Sequence, residues 1–193
     1  CSSQKSCATC CATSSCGSSK KKPLMLLAAL AGAAAVVGLM GGCATQNTAQ
    51  ADLPTAQSVD LARYTGTWYE IAKLPNRFQK QCVANTKAVY GISGSEVSVT
   101  NSCTRSDGKT EDIKGIAKVV PNTGNAKLRV SFFRPFYAPY WILALGDNYE
   151  WSLVGTPDRK YLWILSRTPQ MDAETQRNIT VRAKALGFDT DKL

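Results

Sequence analysis

The sequence predicts an all-β fold, namely an eight-stranded antiparallel up-and-down β-barrel with one C-terminal α-helix packed on the outside. Two patterns support this prediction. After Asp60, short runs of alternating apolar and polar residues recur at regular intervals, with turn residues between them, which is typical of a barrel or a sandwich. Near the C-terminus, apolar residues instead recur at helical spacing. A barrel of eight strands has room for one small ligand.

Turn-forming Gly, Asn, Asp and Pro residues delimit the predicted strands. The strands are Gly66–Lys73, Val83–Tyr90, Ser95–Cys103, Glu111–Val120, Ala126–Phe133, Tyr140–Gly146, Tyr149–Gly155 and Tyr161–Arg167. A predicted helix follows, beginning after the N-cap Asp172 and ending before Gly187. Ile179, Ala183 and Leu186 share one face of this helix, so that face can pack against the barrel wall.

The N-terminal residues are interpreted as targeting sequence. Residues 1–19 form a Cys-rich extension that we interpret as a mis-set start, with no function assigned. In residues 20–42, three lysines precede an apolar run that ends in two glycines, the pattern of a secretory signal. Small residues directly before Cys43 resemble the bacterial lipobox, so the segment is predicted to be a lipoprotein signal peptide with a lipid on Cys43. A plain signal peptide or a retained membrane anchor are the alternatives.

Residues 43–59 are rich in Ala, Gln and Thr, which predicts a flexible tether between the lipid and a folded domain over residues 60–193. The residue after the lipidated cysteine is Ala44 rather than Asp. By resemblance to bacterial lipoproteins, this favours the outer membrane over the inner membrane.

Composition excludes several functional classes. The sequence has no histidine, which removes the usual general base at neutral pH and the common zinc sites. Of the formal net charge of +9, four charges lie in residues 1–42 and the rest are scattered without a basic stripe. We therefore predict no catalytic residue, no metal, no cofactor and no nucleic-acid partner.

Three short motifs in the domain identify a family. They are Gly66-Thr67-Trp68, Asp147-Asn148-Tyr149 and Leu165-Ser166-Arg167. Together with residues 130–137 and 157–169, they resemble the lipocalins, and most closely the bacterial outer-membrane lipocalins that group with apolipoprotein D. The resemblance implies the lipocalin calyx, with Gly66, Trp68, Tyr149 and Arg167 at its closed end. There the arginine is expected to pack over the tryptophan as a cation–π contact.

Cys82 and Cys103 are the cysteines of the predicted domain. If Tyr90 pairs with Ser95 around a four-residue turn, the two cysteines face each other and can form a disulfide bond, which an envelope compartment permits. The alternative is a free nucleophilic thiol, as in the rare lipocalin that became an isomerase. Without a histidine to lower the thiol pKa, we favour the disulfide.

Strand alternation and the family resemblance together predict the ligand cavity. Alternation in the fifth strand points Leu128, Val130 and Phe132 inward. The remaining predicted cavity residues, placed mainly by analogy with the family, are Tyr140, Ile142, Ala144, Trp151, Tyr161 and Trp163.

Charged residues are predicted at two further places. Arg134, Arg159 and Lys160 are expected at the rim, where they meet a carboxylate or phosphate, or are simply solvated. If Trp68 points inward, Glu70 does so too, and its buried carboxylate requires a basic or hydroxyl partner.

The resemblance implies a non-enzymatic, lipid-anchored protein that stores or transports fatty acids or lysophospholipids for membrane maintenance. We expect it at the outer membrane, facing the periplasm. The alternatives are a binder of a tetrapyrrole or pigment, disfavoured by the lack of histidine for haem ligation, and a lipid isomerase-like enzyme.

Overall fold

Among residues 52–193, which the computed structural model describes, eight antiparallel strands close into one barrel in chain order. They are β1 (Gly66–Lys73), β2 (Cys82–Ser93), β3 (Glu96–Arg105), β4 (Thr110–Val119), β5 (Lys127–Phe133), β6 (Phe136–Leu145), β7 (Trp151–Gly155) and β8 (Leu162–Ser166). β8 pairs back with β1, so the predicted barrel is confirmed. The predicted extension (1–19), the signal peptide (20–42) and Cys43 lie outside the described residues.

Helices flank the barrel. The described residues contain α1 (Leu61–Tyr64), α2 (Ala173–Ala185), and short 3-10 helices at Arg77–Gln79 and Thr190–Lys192. The Asp172 side chain accepts a 2.8 Å hydrogen bond from the backbone N–H of Thr175 and so caps α2. Gly187 follows the helix with a φ of +87°, a conformation that glycine adopts without strain. The predicted C-terminal helix is confirmed.

Buried apolar side chains form one cluster on each side of the barrel wall. The inner cluster includes Trp68, Leu128, Ile142, Val154 and Leu165. The outer cluster includes Leu143, Leu153, Ile164, Ile179 and Ala183. Because the outer cluster contains residues of both α2 and the strands, the helix packs on the outside of the wall formed by β6 to β8.

A bulge in β6 changes which side chains point into the barrel. The pairing of β6 with β7 shifts between Ile142 and Ala144, and Ala144 packs in the outer cluster. In β7, the side chain of Val154 faces inward and that of Trp151 faces the outer cluster. The predicted cavity positions of Ala144 and Trp151 are therefore wrong: alternation does not carry through the bulge at Ala144, and in the regular strand β7 Trp151 lies on the face opposite to Val154.

Residues 52–59 pack against the barrel. The side chains of Leu53 and Val59 are buried, and the backbone N–H of Val59 donates a 2.7 Å hydrogen bond to the carbonyl of Gly124 in the loop between β4 and β5. The prediction of a flexible tether over residues 43–59 is therefore wrong for its described part. The buried side chains of Leu53 and Val59 fix the segment to the domain.

A disulfide bond joins Cys82 to Cys103, with 5.5 Å between their Cα atoms, which confirms the predicted bond. The register behind that prediction is wrong. β2 continues beyond Tyr90 into a shorter turn, so Tyr90 pairs with Val99. Shifts further along the ladder place Cys82 opposite Arg105, and the disulfide crosses the two strands diagonally.

Candidate functional site

Arg167 and Trp68 close one end of the barrel. The Arg167 Cζ lies 3.8 Å from the centroid of the Trp68 ring, and Trp68 is fully buried. The same guanidinium donates hydrogen bonds to the carbonyls of Arg63, Thr65 and Thr67 at 2.6, 2.9 and 2.9 Å. Because the N–H groups of Arg167 are bonded to the protein, they are not available to a ligand, and the residue closes this end of the barrel.

Gly66 and Tyr149 complete the closed end. Gly66 has a φ of +92°, and a Cβ there would lie 3.4 Å from Nη1 of Arg167, so glycine suits both the backbone and the close approach. The Tyr149 hydroxyl accepts a 2.8 Å hydrogen bond from the backbone N–H of Asp60. Its ring lies 4.2 Å from the Cζ of Arg63. The structure thus brings together the four residues expected at this end.

Two buried tyrosines, the partly buried Tyr140 and a serine form a hydrogen-bonded floor inside the barrel. The Tyr140 hydroxyl lies 3.0 Å from that of Tyr64 and 2.9 Å from that of Tyr90. The Tyr64 hydroxyl is also 3.1 Å from Oγ of Ser152. Burial raises the pKa of Tyr64 to about 12 and raises the pKa of Tyr90 and of Tyr140 as well. The three hydroxyls therefore stay neutral at physiological pH.

Most of the predicted cavity wall faces the barrel interior. The predicted residues that belong to the inner cluster are Leu128, Val130, Phe132, Tyr140, Ile142 and Trp163. Leu128, Val130 and Tyr140 border an apolar cavity of about 10 Å³ near α1, which is about the space that one water molecule needs. The barrel floor is therefore closely packed, and a larger ligand has to lie nearer the open end.

Aromatic rings stack at the open end. The ring centroid of Tyr161 lies 5.0 Å from that of Phe78, in the loop between β1 and β2, and 6.2 Å from that of Trp163 in β8. Phe78 is half exposed. These rings form an apolar path from solvent to the inner cluster, and the loop that carries Phe78 borders it.

A polar group lies beside these rings. Glu70 pairs with Lys73 and also accepts a 2.7 Å hydrogen bond from Nε2 of Gln79. The Oε1 of Gln79 in turn accepts a 3.1 Å hydrogen bond from Nε1 of Trp163. The carboxylate therefore has the basic partner that its burial required. This chain ties the loop between β1 and β2 to the strands on either side of it.

Lys73 and Gln79 are the residues of this group that sequence reasoning missed. A bulge in β1 shifts its pairing with β8 between Glu70 and Ala72, so that Lys73 reaches Glu70, although uninterrupted alternation turns it outward. Gln79 lies in a loop, to which alternation assigns no direction. Asn76, whose side chain caps the 3-10 helix that carries Gln79, is a local signal that this loop is ordered.

The predicted cationic rim does not form. Nη2 of Arg134 lies 3.4 Å from a carboxylate oxygen of Glu96. Glu96 faces outward, because its neighbour in β3 is buried inside the barrel. The Arg134 side chain therefore lies along the outer wall. Nε of Arg159 donates a 2.7 Å hydrogen bond to the carbonyl of Leu186 at the end of α2. Lys160 stays exposed on a loop of the open end, and Arg134, although paired with Glu96, is exposed as well. The other two placements are wrong because each side chain finds an acceptor on the outer surface.

Within residues 52–193, no group of three or more His, Cys, Asp or Glu side chains is placed to hold a metal ion. No helix in the same part of the chain has the length and apolar character needed to cross a bilayer.

Comparisons with known proteins agree with this geometry. A family model described as a lipocalin-like domain matches residues 59–193. Temperature-induced lipocalin-1 of Arabidopsis thaliana is 38% identical over 155 residues, covering 76% of this chain and 83% of the relative. Outer membrane lipoprotein Blc of Escherichia coli K12 is 37% identical over 147 residues, covering 75% and 82%.

A solved structure shares the fold. Insecticyanin of the tobacco hornworm Manduca sexta superposes with a TM-score of 0.60 at 26% sequence identity, covering 73% of this chain and 82% of that one. The fold similarity therefore spans the barrel and extends to an animal protein.

Proposed function

The chain belongs to the lipocalin family, and from that premise we propose that its barrel binds a fatty acid or a lysophospholipid and stores or transports it for membrane maintenance. The observation that carries the proposal is the continuity of the apolar inner cluster with the aromatic stack at the open end. Burial of an acyl chain against such a wall is favourable by about 0.8 kcal/mol per methylene.

Binding without catalysis is the second part of the proposal. The two cysteines of residues 52–193 are bonded to each other, so neither supplies a thiolate nucleophile. The sequence has no histidine. The buried tyrosines have raised pKa values and suit neutral hydrogen bonding rather than proton abstraction.

The third part concerns location: Cys43 carries a lipid and holds the domain at the outer membrane, facing the periplasm. The lipobox-like residues before Cys43 support this, as does the similarity to a relative named as an outer membrane lipoprotein. Expression of the full chain in a bacterium with labelled palmitate tests it. We expect label in the outer-membrane fraction and none with Cys43→Ser. Equal labelling of the variant contradicts this part.

Native mass spectrometry of the purified full chain, followed by lipid extraction, tests the ligand class. We expect one bound fatty acid or lysophospholipid per chain, and rebinding of that lipid after its removal. A retained tetrapyrrole, or no mass shift with any single-chain lipid, contradicts the proposal.

A further inference from the structure

β4 and β5 separate from each other before they reach the open end of the barrel. Their pairing runs from Val119 and Leu128 to Ile116 and Ser131 and ends there. β4 continues to Thr110 in register with β3, whereas β5 leaves it. A cleft of about 250 Å³, largely open to solvent, lies where the strands part.

Side chains from both faces of the barrel wall border this gap. By strand alternation, Gly115 and Phe132 belong to the inward-facing residues of β4 and β5, whereas Lys114 and Ser131 belong to the outward-facing ones. All four line the gap. A Cβ on Gly115 would lie 2.6 Å from the backbone carbonyl oxygen of Ser131 and 2.7 Å from Cδ1 of Phe132. Glycine therefore permits the close approach of β4 to the β5 backbone and to the Phe132 ring, which also packs on the inner cluster.

The polar groups at the gap are incompletely paired. Ser131 is 3% exposed and its Oγ has no hydrogen-bond partner among the described residues, which is unfavourable for a buried hydroxyl. The ammonium of Lys114 has no carboxylate partner among the described residues. The guanidinium of Arg134 is a second positive charge at the gap, and it is paired with Glu96. An anionic oxygen is the group that matches an unpaired hydroxyl beside unpaired positive charge.

The size of the gap argues for part of a lipid rather than a whole one. Pockets that enclose complete drug-sized ligands measure roughly 300–1,000 Å³, whereas this cleft measures about 250 Å³ and is open to solvent. A phosphate or carboxylate headgroup fits that space, and the Phe132 ring belongs both to its lining and to the inner cluster.

We propose that the gap between β4 and β5 is a side site that binds the anionic headgroup of a single-chain lipid whose acyl chain lies in the barrel. Lys114 supplies the charge, and the Ser131 hydroxyl donates a hydrogen bond to a phosphate or carboxylate oxygen. The acyl chain passes beside Phe132. The inference rests on the proposed lipid-binding function and adds to it the place where the headgroup lies.

Isothermal titration with two lipids that differ by one phosphate tests the side site. The probes are palmitoyl lysophosphatidic acid and monopalmitoylglycerol, each below its critical micelle concentration. The full chain is compared with Lys114→Gln and Ser131→Ala, and Lys87→Gln is the matched control, because Lys87 is an exposed lysine on β2. We expect each gap variant to bind the phosphate lipid about tenfold more weakly. The neutral lipid should bind all four proteins equally, and the control should bind both lipids like the wild type.

The remaining outcomes separate the side site from the lipid-binding function. Normal binding of the neutral lipid, with no loss of phosphate-lipid affinity in either gap variant, overturns the side site and leaves the proposed function standing. Failure of the wild type to bind either lipid overturns both. Inorganic phosphate at constant ionic strength should compete with the phosphate lipid in the wild type. Phosphate binding at Lys114 that leaves lipid binding unchanged identifies a site for free phosphate instead and overturns the inference.

Thermal unfolding of Ser131→Ala is a second readout. Because the Ser131 hydroxyl is buried without a partner, its removal should not lower the melting temperature. A clear loss of stability points to a structural role for this hydroxyl and contradicts its assignment to a ligand.

Discussion

The guanidinium of Arg167 covers the indole of Trp68 at 3.8 Å, and so joins the residue after the last strand to a residue near the start of the first. The indole Nε1 donates a 2.8 Å hydrogen bond to the carbonyl of Tyr64. The contact therefore connects β8, β1 and α1. Because β1 and β8 pair to close the barrel, this side-chain contact stabilises their junction at the closed end.

Replacement of Arg167 by Met should lower the free energy of unfolding by about 2–4 kcal/mol, since it removes a cation–π contact and several charged hydrogen bonds to backbone carbonyls. Arg177→Met, on the exposed side of α2, is the control and should change stability little. Urea denaturation followed by circular dichroism measures both. Equal stability of the two variants would show that the closed end does not depend on this residue.

Loss of the disulfide should cost about 3 kcal/mol, because the bond restricts a segment of the unfolded chain. The bonded cysteines are 21 residues apart in the sequence. Cys82→Ser, Cys103→Ser and the double variant should have nearly the same midpoint in urea as the reduced wild type. A reduced wild type as stable as the oxidised protein contradicts the prediction.

The tyrosine floor should limit stability at alkaline pH. Burial raises the pKa of Tyr64 to about 12 from the usual value of 10.0, so the folded state holds this proton more tightly than the unfolded state. The associated stability is complete below pH 10 and is lost as the pH rises through 12. Tyrosinate absorption and urea midpoints should therefore change together in this window.

Tyr64→Phe should weaken that pH dependence while lowering stability at neutral pH, since it removes hydrogen bonds to Tyr140 and Ser152. Tyr69 faces outward, because its neighbour Trp68 faces inward. The control variant Tyr69→Phe should therefore keep the wild-type pH profile. Identical alkaline profiles for wild type and Tyr64→Phe contradict the assignment.

Glu70 and Lys73 should be energetically coupled. Glu70→Gln or Lys73→Met leaves a partly buried charge without its partner, and we expect each to cost about 1–3 kcal/mol. The double variant should cost clearly less than the sum of the two single variants. Additive losses in this double-mutant cycle would show that the pair contributes nothing beyond its separate residues.

The barrel, the helix and the disulfide could be predicted from the sequence because each depends on local alternation, turn residues or family motifs. Gly66–Lys73 is both a predicted and an observed strand, since alternation and the Gly-x-Trp motif agree there. The disulfide was predicted from an incorrect register, and it still forms because the ladder shifts toward the open end.

Features that depend on bulges and on long side chains could not be predicted in this way. A one-residue bulge reverses alternation beyond it, and this turned Ala144 outward and Lys73 inward. Arg134 and Arg159 are long enough to reach acceptors away from their loops. Their backbone positions alone therefore do not locate their charges.

Quenching of tryptophan fluorescence by brominated palmitic acid tests the central claim, that lipid lies inside the barrel, most directly. Bromine quenches over short distances, and Trp163 packs on the inner cluster whereas Trp151 packs on the outer one. We predict strong, saturable quenching in the wild-type protein and in Trp151→Phe, and loss of most of it in Trp163→Phe. No quenching of the wild type, or loss of quenching in Trp151→Phe with retention in Trp163→Phe, would contradict a ligand in the barrel.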